Sequence, residues 1–435
     1  MKSKKALATE IVRTLRSRGF EAYFVGGCVR DTVLRKTPYD YDISTNAQPK
    51  DIRKIFAHTV PVGEAFGVMI VRVQRQSFEV STFRSESGYE DGRRPTQVAF
   101  TDAKTDASRR DFTVNGLYYD PIKRKTLDWV DGVRDIRKKV IRTIGDPLVR
   151  FEEDKLRMLR AVRFAANLGF KIEAKTLKAI QKMHKQIFVV SMERIRDELV
   201  KMFTGPNPML ALDGLDKTKL LPVILPEIEK LKGVQQPRQF HPEGDVYKHT
   251  RKLLGLLKRP PLILAFGCLL HDIGKPATFY RAKDRIRFNG HDRVGAGLAE
   301  KLLTKLKFSN EQKRQIVDCV DGHMRFKDAP HMKASTLKRL FQRDTFETEL
   351  EQHRVDCLAS HGDLTIYKFL KKKLGQFSKE DIRPELFLKG RDLIELGFVP
   401  GPRFGKILRE AEEKQLDGAF RTKQDALNWA AGQRK

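Results

Sequence analysis

The sequence predicts an α+β fold: an N-terminal head with a small mixed sheet, followed by an all-helical neck, body and tail. Three observations carry that expectation. Short apolar runs bounded by glycines and polar turns crowd the N-terminal third, as strands do. Beyond Gly145, Asp146 and Pro147 the apolar residues recur at helical spacing. Finally, 435 residues, 40% hydrophobic and 32% charged, suffice for real cores in several domains, which excludes global disorder.

Each element follows from local pattern. Residues 9–18 read as a helix ended by Gly19, and 21–25 as a strand stopped by Gly26 and Gly27. Residues 29–34 start a helix after that turn, and 40–43 form a second short strand. Residues 66–73 and 77–83 are strands flanking a polar turn at 74–76. Residues 84–96 read as a polar loop, 111–118 stay ambiguous, and 125–130 read as strand. Residues 151–167 then place Leu156, Leu159, Val162 and Phe164 on or near one helical face. Helices follow at 174–183 and 192–203, with breaks at Pro206, Pro208 and 235–242. The expected division is a head at 1–142, a neck at 143–205, a body at 206–365 and a tail at 366–435.

Lys and Arg total 85 against 56 Asp and Glu, a net charge of +29 spread over every region. A long polyanion is the expected partner; a merely soluble basic surface is the bland alternative. Cys28, Cys268, Cys319 and Cys357 form no CxxC pair, so zinc ribbons and redox motifs are not expected. No apolar run is long enough for a bilayer, and Glu10, Arg13 and Arg16 interrupt any signal core. These features suggest a cytoplasmic protein with no membrane partner; no oligomeric preference is legible.

Three clusters in the first 163 residues carry chemistry. Gly26 and Gly27 between strand and helix make a phosphate cradle, with Arg30 as a charged clamp. Asp40 and Asp42, if both lie on one strand, share a face and can hold divalent cations. Arg109 and Arg110 suit phosphates, and Asp111 and Asn115 could reach a ribose hydroxyl. Asp154 and Arg157 sit i,i+3 on the expected helix, ahead of Arg160 and Arg163. An ordinary ion pair is the commonest meaning of that spacing. A carboxylate beside a guanidinium can also accept from the exocyclic amine of cytosine or adenine while donating to the ring nitrogen. Uracil and guanine would meet it acceptor to acceptor.

In order, VGGCVRD, DYD, RRDFTVNG, EDKLRMLRAVRF and ERIRDELVKMF closely resemble the class II tRNA nucleotidyltransferases, the family of CCA-adding enzymes and bacterial poly(A) polymerases. The resemblance is dense over residues 20–205. It implies template-independent addition of C, C and A to tRNA 3′ ends from CTP and ATP. It implies Mg²⁺ on Asp40 and Asp42, nucleotide contacts from Gly27, Arg30 and Arg110, and Asp154 with Arg157 as a protein template. Glu79 is a further carboxylate near the metals or simply a surface strand residue. In this family a flexible loop at the place of 84–100 accompanies A addition, which argues against a C-only enzyme. An A-only enzyme and a poly(A) polymerase remain the rivals.

The helical half carries His249, His271, Asp272, His291, His323 and Asp356. The run LLHDIGKP resembles the HD phosphohydrolase superfamily. That resemblance implies a divalent metal (Mn, Ni, Fe or Mg) on His249, His271, Asp272 and Asp356, with His291 and His323 completing a second. Some CCA-adding enzymes carry such a domain with phosphatase or cyclic-phosphodiesterase activity. A purely structural fold of this type is the alternative, and a third reading makes this unit the main activity with the head as an RNA platform. Lys371, Lys372, Lys373, Arg403 and Lys406 suit contacts to RNA backbone, or a solvated charged face.

Overall fold

The computed structural model describes every residue except 1, 90–94, 240 and 435. The chain divides into two compact units, Met1–Pro226 and Glu227–Lys435.

The first unit opens with helix α1 (Lys4–Ser17), whose Leu7, Ile11, Val12 and Leu15 are buried at helical spacing. Strand β1 (Ala22–Val25) follows, then α2 (Gly27–Val33), β2 (Asp42–Thr45) and α3 (Pro49–Ile55). Strands β3 (Thr59–Gly63), β4 (Val68–Val73) and β5 (Gln76–Thr82) complete one side of a seven-stranded sheet. Strands β8 (Tyr118–Asp120) and β9 (Lys125–Leu127) complete the other, giving the order β3-β4-β5-β2-β1-β8-β9. Only the β2–β5 pairing is parallel, so the sheet is mixed, as expected.

Two sequence expectations shift here. The polar segment after residue 83 is not simply a loop: β6 (Arg84–Tyr89) and β7 (Pro95–Phe100) pair as an antiparallel ribbon. Cross-strand backbone bonds hold it where side-chain patterning gave no strand signal. The tip, Glu90 to Arg94 of the expected A-addition loop, lies outside the described residues. The second strand also begins at Asp42 rather than Asp40, because Val25 pairs with Asp42 at the end of the β1–β2 ladder.

Helix α4 (Ala103–Ser108) leads to a 3₁₀ turn at Thr113–Asn115, resolving the ambiguous stretch before β8. Beyond α5 (Gly132–Lys138) come α6 (Pro147–Glu153), α7 (Leu156–Leu168), α8 (Ala174–Met183), α9 (Met192–Phe203) and α10 (Pro208–Lys217). The expected continuous helix over 151–167 is interrupted. Asp154 is extended (φ −149°, ψ 105°) and ends α6; its carboxylate accepts at 3.0 Å from the amide of Leu156, the first residue of α7, from the position before the N-cap Lys155.

Among its described residues the second unit is helical apart from a two-residue β pair, Tyr280–Arg281 with Ile286–Arg287, and an isolated bridge between Gln235 and Asp245. It has separate apolar clusters around Phe326, Phe341 and Phe346, and around Leu393, Ile407 and Ala426.

Candidate nucleotide site and histidine cluster

In the first unit, a cleft of about 500 Å³ is lined by side chains from all three sequence clusters. Gly26, Gly27, Arg30, Asp42, Arg110 and Asp111 line its sheet side. Asn115, Asp154, Arg157 and Arg160 also line it, as do Arg109, Phe164 and Arg194. Of the nucleotide-contact residues expected from sequence, Arg163 alone stays outside. Its guanidinium donates to Glu198 at 2.6 Å and lies 4.1 Å from the Phe164 ring centroid.

Gly26 shows why a glycine is needed. Its φ is +71°, and a Cβ there would lie 3.3 Å from the Arg110 guanidinium. Arg110 is in turn held from behind. It donates to Asp106 at 3.2 Å and to Ser44 at 3.3 Å, and Asp106 also accepts from the Tyr118 hydroxyl. Arg30 donates to Asn115 at 2.8 Å; Asn115 donates to Asp111 at 3.1 Å; Asp111 accepts twice from Arg160. Arg30, Asn115, Asp111 and Arg160 thus form one chain of fixed donors and acceptors across the cleft floor.

The carboxylates behave unequally. Asp42 is largely buried and its pKa is pushed up to about 6, by burial first and then by the negative charges of Glu79 and Asp40. Asp40 is exposed, precedes the strand, and pairs with Lys4 at 3.0 Å. The same-face alternation expected of the pair therefore does not apply: proximity, not strand period, couples them. Glu79 faces β4 in the ladder, opposite Ile70, and its charge acts on Asp42. Excess negative charge around a buried carboxylate fits a cation there.

Asp154 and Arg157 share the cleft without pairing. Arg157 donates to Glu153 and to the Arg150 carbonyl; Asp154 takes Arg194 of α9 at 2.8 Å. The expected i,i+3 pair fails because Asp154 sits in the break between two helices. Arg194 escaped the sequence reading, although it lies inside the quoted ERIRDELVKMF run.

In the second unit, five of the six expected metal-binding residues line a cavity of about 510 Å³; His249 is buried beside it. His271, His291 and His323 each place Nδ1 on a backbone carbonyl three residues earlier, at 2.8, 2.7 and 2.6 Å. A carbonyl only accepts, so each Nδ1 carries a proton, and where such a ring is neutral its Nε2 is bare. Burial holds His291 below its usual pKa and pushes His323 down to about 4, so both rings are neutral.

His291 Nε2 and His323 Nε2 stand 3.0 Å apart, lone pair against lone pair. Asp272 links the two halves of the cluster: one oxygen lies 3.1 Å from His271 Nε2, and the other 3.6 and 3.9 Å from the His291 and His323 nitrogens. His249 Nε2 reaches Asp356 at 2.9 Å and its Nδ1 reaches Glu243 at 2.8 Å. The trios His249, His271, Asp272 and Asp272, His291, His323 could each hold a metal ion. A third trio, His241, Glu243 and His249, also converges; sequence reading missed His241 and Glu243.

Among the described residues no helix is long and apolar enough to cross a membrane. The expected basic residues of the C-terminal segment sit on two helices, Thr365–Gln376 and Pro402–Leu416, with Lys371, Lys372 and Lys406 exposed.

Comparison with known proteins agrees with this layout. Residues 22–142 match the family model of the poly A polymerase head domain, and 169–232 that of a probable RNA and SrmB-binding site of polymerase A. Residues 295–431 match the model for putative tRNA nucleotidyltransferase domain 2. His249, His271, Asp272 and His291 fall between the second and third matches. The CCA-adding enzyme of Enterococcus faecalis is 32% identical over 427 residues, covering 97% of this chain and 94% of that protein. The crystal structure of the Bacillus stearothermophilus CCA-adding enzyme in complex with CTP superposes with a TM-score of 0.73 at 26% identity, covering 100% of this chain and 98% of that one. A Thermotoga maritima CCA-adding enzyme complexed with tRNA shares the fold at a TM-score of 0.59 and 18% identity, covering 99% and 95%.

Proposed function

The chain belongs to the CCA-adding enzyme family, and from that premise we propose how its first-unit cleft performs template-independent nucleotide addition to tRNA. The enzyme adds C, C and A to tRNA 3′ ends from CTP and ATP. The tRNA 3′-hydroxyl attacks the α-phosphate of the incoming nucleotide, and pyrophosphate leaves. The observation that carries the reading is the cleft itself: Asp42, Arg110, Asp111 and the Asp154–Arg157 pair line one 500 Å³ space.

In this reading Arg30 and Arg110 bind the triphosphate, with Gly26 and Gly27 letting the backbone approach it. Asp111, Asn115 and Arg160 orient the sugar. Asp154 accepts from the base's exocyclic amine and Arg157 donates to its ring nitrogen, which admits C and A. Asp42 and Asp40, with Glu79 nearby, would hold Mg²⁺, which when bound activates the hydroxyl and steadies the leaving phosphates. The head, neck, body and tail bounds given above fit this reading, and the cytoplasm is its setting, in line with four free, buried cysteines.

Labelled CTP alone, ATP alone, and both, given to tRNA lacking its terminal triplet, test this directly. Addition of three nucleotides and no more, only with both, is expected. A long A ladder, or no reaction without preformed CC, would sink it. Asp42→Asn should abolish addition.

A second reading rests on one observation, the opposed Nε2 lone pairs of His291 and His323. At 3.0 Å two unprotonated nitrogens repel, whereas ligands around one cation at bond lengths of about 2.0–2.1 Å sit about that far apart. His249, His271, Asp272 and Asp356, with His291 and His323, would hold a divalent metal, which supplies an activated water for phosphoester hydrolysis. Metal analysis of the purified protein should find ions lost in His271→Ala while CCA addition persists. Protein free of bound metal after saturation with Mn²⁺ or Ni²⁺ would overturn this reading.

A further inference from the structure

The ERIRDELVKMF run matched a known pattern yet acquired no role in the reading above. Helix α9 begins at Met192 and buries Ile195, Leu199, Met202 and Phe203. Arg194 and Glu198 are one turn apart, so they share a face, and both reach α7 or the residues just before it. Glu198 takes Arg163 at 2.6 Å, and Arg194 donates to Asp154 Oδ2 at 2.8 Å. Arg194 also lines the cleft, so it stands at the same surface as the incoming base.

The lone pairs of Asp154 define what this contact does. Oδ1 is committed to the Leu156 amide at the start of α7, at 3.0 Å. Oδ2 is the oxygen left to receive a base amine, and Arg194 fixes it. Asp154 lies at an extended residue between two helices, where the Leu156 amide holds Oδ1 but no backbone group holds Oδ2. Without the guanidinium, Oδ2 is free to rotate away from the base. A carboxylate oxygen held in place meets the carbonyl of uracil or guanine acceptor to acceptor, whereas one that swings aside no longer opposes it.

We propose that Arg194 is a specificity-positioning residue: by holding Asp154 Oδ2 as a fixed acceptor, it makes the site reject U and G. The inference rests on the reading of Asp154 and Arg157 as the base-selecting pair. Arg194 does not touch the reacting atoms, so its loss should show in discrimination more than in turnover.

The test is single-nucleotide incorporation by the full-length protein, comparing kcat/KM for CTP with UTP, and for ATP with GTP. Arg194→Ala should lower both ratios by about tenfold or more, mainly through KM, with Arg194→Lys restoring part of the ratio. A purely structural role would weaken all four nucleotides alike. An unchanged ratio in Arg194→Ala therefore overturns the inference. Asp154→Ala in the same assay separates the two claims. If it collapses discrimination while Arg194→Ala does not, only the role of Arg194 fails. If it leaves discrimination intact, the base-selecting pair and this inference fall together.

Discussion

Asp42 joins two properties that are usually separate. Its carboxyl is raised to about 6 by burial and by Glu79 and Asp40, so a proton and a cation compete for it. Cation affinity of the cleft should fall as pH drops through about 6, measurable by titrating Mn²⁺ at pH 7.5 and pH 5.5. Linkage gives the stability counterpart. The folded carboxyl binds its proton more tightly than the unfolded one, so the ion-free protein loses stability as pH rises from about 4 through about 6. Asp42→Asn should therefore be inactive yet more stable at pH 8 without metal, by roughly 1–2 kcal/mol. A lower melting temperature for that variant would contradict the account. Gly26 makes a complementary case. Gly26→Ala forces an L side chain to φ +71° against Arg110, at a strain of about 1 kcal/mol or more, and should raise KM for CTP and ATP alike.

At the level of elements, the break between α6 and α7 is where sequence reading and structure part. Periodicity located the buried face of α7 correctly, because apolar spacing reports packing. It could not show the interruption, since Asp154 and Lys155 cost a helix little by propensity alone. The i,i+3 reading then paired Asp154 with Arg157, whereas the partner is Arg194, 40 positions away. The same division recurs elsewhere. Strands with alternating burial such as β5 were legible, but the β6–β7 ribbon was not, because β6 opens on Arg84, Ser85, Glu86 and Ser87, which leave no hydrophobic alternation. The cleft residues were found almost complete from motif chemistry. What stayed hidden were supports: Glu198 and Arg194, whose contacts are distant in sequence, and Asp106 and Glu243, which lie near Arg110 and His249 but outside the recognised motifs. Asp154→Asn and Asp154→Ala separate support from selection. Asparagine keeps an oxygen for the Leu156 amide and should preserve stability, while alanine loses that hydrogen bond at a cost of about 1 kcal/mol; both should lose base discrimination.

For the whole molecule, the net charge of +29 is a statement about salt. Binding to tRNA should weaken steeply between 50 and 200 mM KCl, roughly linearly on a log–log plot. A flat response would mean the diffuse basic surface takes no part. The two compact units carry separate cores, so the protein has two thermal transitions to offer a calorimeter. Under the metal reading, chelation should lower the transition of Glu227–Lys435 and leave that of Met1–Pro226 in place.

The carboxylate of Asp154 ends one helix, starts another and faces the cleft. Heredity therefore cannot alter it freely. Most replacements give up the bond to the Leu156 amide at the same moment as they change the base contact, and asparagine is the nearest neighbour that keeps the first while altering the second. A change at this position carries a small stability cost along with any change of specificity, whereas a change at Arg194 on α9 leaves the Leu156 contact in place.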